Sequence, residues 1–264
     1  MIAAAVLALA VIAAAFPSLL GGAHPLAVHP NQALLAPSLA HPFGTDESGR
    51  DILARVVAGT RASLVVGVCA TLIGGFIGIA LGLAAGLAGT GRGGRFLDAV
   101  VARIMEVGFA LPLLLVALVV IAVTGPGAVP ATIAVGLATA PGYGRIVRGL
   151  VRSASRSQVV ETAVLQGRRP STIVVRHVIP AALWPVVAVG TLGVGQAVVW
   201  ASALSYLGVG TPPPAPEWGA MLADGRTYLE TAPWMSTFPG VAIVVLAVAA
   251  TVVGRSIRRI GEHR

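Results

Sequence analysis

Lysine is absent from all 264 residues, so each of the 18 basic side chains is an arginine. That absence excludes a P-loop (GxxxxGK[ST]), a Schiff-base lysine and a Ser-Lys dyad. If the chain works with ATP, another subunit must hold the nucleotide. Cysteine occurs once, as Cys69 inside an apolar run, which allows neither an intrachain disulfide nor a cysteine zinc site. Charged residues make up 11%, against the ~25% of soluble domains, so a single water-soluble globule does not fit. The net charge of +8 invites a nucleic-acid reading. Aromatics are only 5%, however, and the arginines form no aromatic-interleaved patch. What fills the chain instead is apolar: 56% hydrophobic residues and a mean hydropathy of +0.88.

A membrane helix needs about 20 mostly apolar residues to cross ~30 Å of hydrocarbon. Six stretches reach or approach that length: residues 2–20, 63–89, 97–124, 128–150, 181–207 and 238–254. The first helix (1–20) competes with a signal peptide, because Ala13-Ala14-Ala15 resembles a cleavage site. No positive charge precedes its apolar run, which favours a retained helix.

Arginine placement orients the spans. Arg92, Arg95 and Arg103 follow span two; Arg145, Arg148, Arg152, Arg156, Arg168, Arg169 and Arg176 follow span four. Arg255, Arg258, Arg259 and Arg264 follow span six. Together these are 14 of the 18 arginines, all in alternate loops, which the positive-inside rule assigns to the cytoplasm. The segments 21–60 and 208–237 carry Asp46, Glu47, Asp51, Glu217, Asp224 and Glu230 and are expected outside. Both termini are then cytoplasmic.

Within span two, Gly74, Gly78, Gly82 and Gly86 recur every fourth residue. On a helix they form one flat stripe for close backbone approach, read here as intramolecular packing ahead of a subunit interface, and Gly75 and Gly89 widen it. Glu106 is the one acid well inside an apolar span. Such a residue is a functional candidate by default, but Arg103 sits one turn before it and a local ion pair is the preferred reading. Pro112 is expected to kink span three.

The segment 152–180 is a long basic excursion. Gln158 to Gln166 reads as a short amphipathic helix with Val159, Val160, Ala163 and Val164 on one side. Gly167 suits the position just past a helix end. Pro170 can open a second short helix, and Pro180 is expected to break the chain before span five. Two short helices on a glycine turn would project an apolar knob, either into a partner's groove or onto lipid headgroups.

Glu161-Thr162-Ala163, Gly167 and Ile179-Pro180 resemble the EAA loop (EAA-x3-G-x9-I-x-LP) of ABC importer permeases. More narrowly, the chain is similar to the C-type permease subunit of the dipeptide/oligopeptide/nickel family. The likeness covers residues 40–257, in stretches that keep the family's order. They include His41-Pro42-Phe43-Gly44-Thr45-Asp46, Gly49-Arg50-Asp51, Pro141-Gly142-Tyr143 through Arg148, and Arg176-His177. Further on come Ser205-Tyr206-Leu207-Gly208-Val209-Gly210, Glu217-Trp218-Gly219, Asp224-Gly225-Arg226, Ala232-Pro233-Trp234 and Phe238-Pro239-Gly240.

The resemblance implies an all-α type I ABC importer permease fold with its transmembrane domain over 61–257. It implies a bacterial cytoplasmic membrane location, a second homologous permease, ATP-binding subunits and an extracytoplasmic substrate-binding protein. The chain itself would be no enzyme and hold no cofactor, ATP and Mg belonging to the partners. Glu161, Thr162, Ala163, Gly167, Arg168, Arg169 and Pro180 would carry the coupling to the ATPase. Thr162 and Arg168-Arg169-Pro170 depart from the family pattern. So does Met1, which abuts the first apolar run where the family has a cytoplasmic extension.

The outer segment 208–237 offers Glu217, Trp218, Asp224 and Glu230 as docking residues for the binding protein. Its competing role is an aromatic belt through Trp218, Tyr228 and Trp234. His24, His29 and His41, each before a proline in a segment read as mobile, are taken as incidental rather than as a nickel site. Span five offers Gln196, Trp200, Ser202 and Ser205 as lining for a mostly neutral path, which suits peptides and serves nickel complexes or haem almost as well. A passive channel would have no use for the long basic loop. An intramembrane hydrolase would need a catalytic pair, and neither HExxH nor GxSxG occurs.

Overall fold

The computed structural model describes residues 1–21, 24–88 and 91–262; Gly89 and Arg264 lie outside them. Among the described residues the regular structure is helical: α1 (Ile2–Ala15), α2 (Ile52–Gly86), α3 (Arg92–Ala110), α4 (Leu113–Thr124) and α5 (Ala128–Ser155). The chain continues through α6 (Gln158–Leu165), α7 (Pro170–Ile173), α8 (Ile179–Tyr206), α9 (Trp218–Gly225) and α10 (Trp234–Glu262).

The central pair is α2 and α5, joined by the glycine stripe. A Cβ at Gly78 would overlap Tyr143 Cβ and the Ala140 carbonyl, and one at Gly82 would strike Val147. Gly74 faces Gly136 and Thr139, and Gly86 faces Val151. At ~1.5 Å per residue α2 is about 52 Å long, well beyond the ~30 Å of hydrocarbon. Its first turns therefore belong to a cap at the acid-rich end of the molecule. There Asp51 caps the helix, its Oδ1 accepting from Ala54 N–H at 2.9 Å. The cap core is Ile52, Val56, Trp218, Met221 and Met235. The opposite, arginine-rich end buries Val147, Val151, Ala163, Ile173 and Val178.

Several boundaries differ from those the apolar runs suggest. Three helices are long and apolar enough to cross a membrane among the described residues, Ile52–Gly86, Pro170–Tyr206 and Trp234–Ile257. A fourth crossing counts Arg92–Ala110 and Leu113–Thr124 together, although they bend by 95°. The kink expected at Pro112 is thus a full break between α3 and α4. The helix expected over 1–20 ends at Ala15, and Pro17–Leu20 follows as a 3-10 turn; 14 residues span only about 21 Å. In α5 the glycines, Pro141 and the arginine-rich last turns dilute the apolar run of residues 128–150.

Pro180 does not break the chain. The turn Val174–Val178 is a π-helix, with Ile179 N–H reaching back to the Val174 carbonyl, and it carries α7 into α8 without interruption. A proline lacks the N–H of an α-turn and its ring strikes the carbonyl four residues back. One widened turn relieves both.

Residues 24–51 form a strap rather than a mobile loop. Phe43 stacks on Phe238 with ring centroids 4.0 Å apart. Trp234 Nε1 donates to the Thr45 carbonyl at 3.1 Å, while its ring covers Gly44, whose φ of +75° and crowding exclude a side chain. His41 Nδ1 lies 2.8 Å from Asp51 Oδ2, and His29 N–H is bonded to the Ser48 carbonyl.

Candidate functional site

At the arginine-rich end, α5 turns through Arg156 and Ser157 directly into α6. The turn is closed by the Ser157 and Glu161 N–H groups, which donate to the Ala154 and Ser157 carbonyls. The α6 helix ends in a Schellman motif. Gly167 N–H donates to the Val164 carbonyl at 2.9 Å, and Arg168 N–H to the Ala163 carbonyl at 3.2 Å. Gly167 itself has φ +70°, the left-handed conformation this motif requires. Pro170 then opens α7 at its first turn.

The helix is held by Ala163 and Val160 and displays others. Ala163, only 4% exposed, packs with Val151, Ile173 and Val178. It is an internal anchor and not part of an outward contact surface. The exposed apolar side chains of α6 are Val159, Val164 and Leu165, the last 83% exposed. Glu161, Thr162, Gly167, Arg168, Arg169 and Pro180 are also exposed. Periodicity alone grouped Ala163 with Val159 and Val164 because it cannot say where α5 lies.

A cavity of about 430 Å³ opens between α2, α5, α8 and the α3–α4 break. Its wall combines Phe109, Leu111, Ile146 and Trp200 with the neutral polar groups of Thr71, Thr139, Tyr143 and Gln196. Gly193 admits the Tyr143 hydroxyl, which a Cβ there would overlap. No acid or arginine lines this cavity. Arg145 stands at its edge with its guanidinium 4.2 Å from the centre of the Phe109 ring. Of the expected path residues, Gln196 and Trp200 reach the cavity. Ser202 and Ser205 do not: both are buried on the other side of α8, beside Ser63, Thr211 and Glu217. At about 100° per residue Ser202 and Ser205 fall on the side of α8 opposite Gln196 and Trp200.

The acid-rich cap also departs from expectation. Glu217, 3% exposed, caps α9, its carboxylate accepting from Gly219 N–H at 2.8 Å and Ala220 N–H at 2.9 Å. Trp218 is buried with Nε1 donating to the Val56 carbonyl at 2.9 Å. Asp224 faces Arg55 at 3.6 Å. Burial pushes the Asp224 carboxyl up from its ordinary value, and the Arg55 charge partly opposes this. Only Glu230 of the four remains exposed. Glu217 and Trp218 therefore cannot serve as docking groups on this surface.

Two ionic features were not read from the sequence. Arg55 is 2% exposed and bonds Asp46, 1% exposed, at 2.5 Å, while Asp46 also accepts from the Ser48 and Arg50 N–H groups. At the other end Asp98 of α3 takes a two-pronged contact from Arg148 of α5, Nε to Oδ1 at 2.8 Å and Nη2 to Oδ2 at 2.9 Å. The four-residue spacing of Arg148 and Arg152 on one helix face was the available signal. Glu106 makes the local pair with Arg103 at 3.5 Å, both exposed. Among the described residues no group of three His, Cys, Asp or Glu converges as a metal site would.

The broken membrane helices, the neutral cavity and the displayed short helix define a class: the permease subunit of an ABC importer, a multi-pass protein of the bacterial plasma membrane. Residues 78–264 match the family described as binding-protein-dependent transport system inner membrane component, and the chain belongs to that family. Permeases of this family are not enzymes; ATP hydrolysis occurs in separate subunits. The chain is 37% identical to the dipeptide transport system permease protein DppC of Alkalihalophilus pseudofirmus, over 94% of this chain and 80% of that one. It is 40% identical to the glutathione transport system permease protein GsiD of Escherichia coli O6:K15:H31, over 84% and 72%. The probable D,D-dipeptide transport system permease protein DdpC of Escherichia coli K12 is 35% identical over 89% and 77%. In fold it is similar to a chain of the MetNI methionine ABC transporter, with TM-score 0.64 at 18% identity, covering 78% of this chain and 95% of that one. A chain of an amino acid ABC transporter gives 0.62 at 14% identity, over 78% and 93%.

Proposed function

We propose that this chain imports di- or oligopeptides or related small solutes as one of two homologous permeases, working with ATP-binding subunits and an extracytoplasmic binding protein. The observation that carries the reading is that α6 leaves Val159, Val164 and Leu165 exposed beside Arg168 and Arg169 while Ala163 anchors it to the bundle. A short helix with exposed apolar side chains in a basic surround suits a cleft with acidic margins on an ATPase. The neutral hydrogen-bonding wall of the cavity suits peptide amides, and the named relatives transport peptides and glutathione.

On this reading the chain crosses the membrane six times: residues 2–20, α2, the broken α3–α4 arm, α5, α7–α8 and α10. Both termini and the α6 element lie in the cytoplasm, which agrees with the arginine distribution. ATP-driven closure reaches the cavity through Glu161 to Pro180, and Glu230 is the remaining outer acid free to meet the binding protein.

The test is reconstitution with the homologous permease, ATP-binding subunits and binding protein, measuring dipeptide uptake and ATP hydrolysis together. Binding-protein-dependent hydrolysis coupled to uptake is expected. Gly167 has open space around it, so only its backbone conformation restricts substitution. Gly167→Val should uncouple hydrolysis from uptake, whereas Gly167→Asn should retain much of the coupling, because Asn tolerates the left-handed region. Uptake unchanged in Gly167→Val would sink the coupling role.

A further inference from the structure

The α3 arm is weakly held by apolar packing. Of its 19 residues only Val101 and Met105 are buried, and they meet Ala85 and Leu81 in a small cluster. Against that background the ionic contact of Asp98 is a major tie. Both Asp98 oxygens are engaged by the Arg148 fork, and Arg152 adds a third contact to Oδ2 at 2.5 Å. Planar two-pronged contacts of this kind fix orientation as well as distance. Arg148 and Arg152 stand on the last turns of α5, and two residues beyond its end α6 begins. Further along the same helix pair, Gly108 meets Pro141 and Phe109 lies under Arg145. Phe109 and Leu111 are cavity wall.

We propose that Asp98 is a positioning residue that makes the α3 arm ride with the end of α5, so that displacement of α6 moves the cavity wall at Phe109 and Leu111. The route consists of contiguous rigid parts: α6, the short turn at Arg156–Ser157, the last turns of α5, the Asp98 fork and α3. With the fork intact, a pull on α6 turns α3 at its break before Pro112. Without it, α5 moves and α3 lags. The proposal rests on the coupling role of α6 set out above, and it adds the element by which that movement reaches the path.

The experiment uses the full reconstituted transporter and reads uptake per ATP hydrolysed. Asp98→Arg sets like charges against Arg148 and Arg152, and should lower that ratio by roughly three- to thirtyfold, the range of coupling energies carried by such networks, while hydrolysis continues. Asp98→Arg combined with Arg148→Asp re-creates an opposed pair and should regain a large part of the ratio. Where Asp98→Arg does not assemble, Asp98→Asn is read instead, with the same direction expected. An unchanged ratio, or uptake and hydrolysis falling together with the amount of complex, overturns the proposal. Gly167→Val serves as the control. If it uncouples while the Asp98 variants do not, the α6 reading stands and the Asp98 role falls. If the unmodified complex shows no binding-protein-stimulated hydrolysis, the importer reading itself falls.

Discussion

Single side chains in this permease take roles that their chemical type does not announce. Asp46 and Arg55 form a pair almost without solvent, and such a pair is costly unless its remaining hydrogen-bonding capacity is met, which it is not at Arg55 Nε. Backbone N–H groups of Ser48 and Arg50 supply that for Asp46. Asp224 sits beside the same arginine in a less favourable setting, with its carboxyl pushed up by burial. A raised carboxyl means the folded state resists ionisation. Its contribution is neutral at pH below the ordinary carboxylate value, and becomes a penalty as pH rises through the raised one. Asp224→Asn should therefore gain stability relative to the unmodified protein as pH is raised from acid to neutral, read by thermal unfolding in detergent at a series of pH values. A constant difference across pH would refute it. Glu217 teaches a related lesson. Acids in outer loops are usually solvated, so it was read as a docking charge. The helix N-terminus it caps became visible only once Trp218 was seen to be buried.

Among elements, the α2–α5 seam depends on the absence of side chains. A Cβ at Gly78 has three atoms of α5 within 2.8 Å. Gly78→Leu should separate the helices and cost ~1–3 kcal/mol, the scale of overpacking in a close-packed interior; Gly75→Leu, with nothing within 4 Å, should cost little. Unfolding of the two purified variants in the same detergent compares them, and equal losses would contradict the seam. The stripe was legible because a four-residue repeat on a helix needs no knowledge of its partner. The short helix α6, its glycine end and the Pro170 start were legible for the same local reason. The fate of Pro180 was not, since whether a proline ends a helix or is absorbed by a wider turn depends on what holds both sides. The Asp98 fork was hidden too, because it joins residues 50 apart in sequence and the Arg148–Arg152 spacing alone does not name its partner.

At the scale of the whole molecule, charge asymmetry supports the orientation while helix lengths leave the first crossing short. Cys69 is the sole cysteine, so a Cys69→Ser background permits single reporters. Glu230→Cys should react with a membrane-impermeant maleimide in intact cells, and Gln166→Cys only after permeabilisation; both positions are exposed. The reverse pattern would invert the topology. The family was legible because its marks lie in short stretches kept in order along the chain. The cavity was half legible: Gln196 and Trp200 reach it, but its other polar groups come from α2 and α5.

The glycine seam also limits how this half of a transporter can deform. Backbones interlocked at Gly74, Gly78, Gly82 and Gly86 on one side and at Gly136 and Gly144 on the other cannot slide past each other without forcing side chains into main chain. The pair behaves as an axle, free to tilt but not to telescope. Compliance is then concentrated at the joints of the arm beside it, the break before Pro112 and the turn at Gly125–Gly127, where φ values of +88° and +142° mark backbone that only glycine adopts with ease. Amide hydrogen exchange during turnover should accordingly run fastest at those two joints and slowest along the axle.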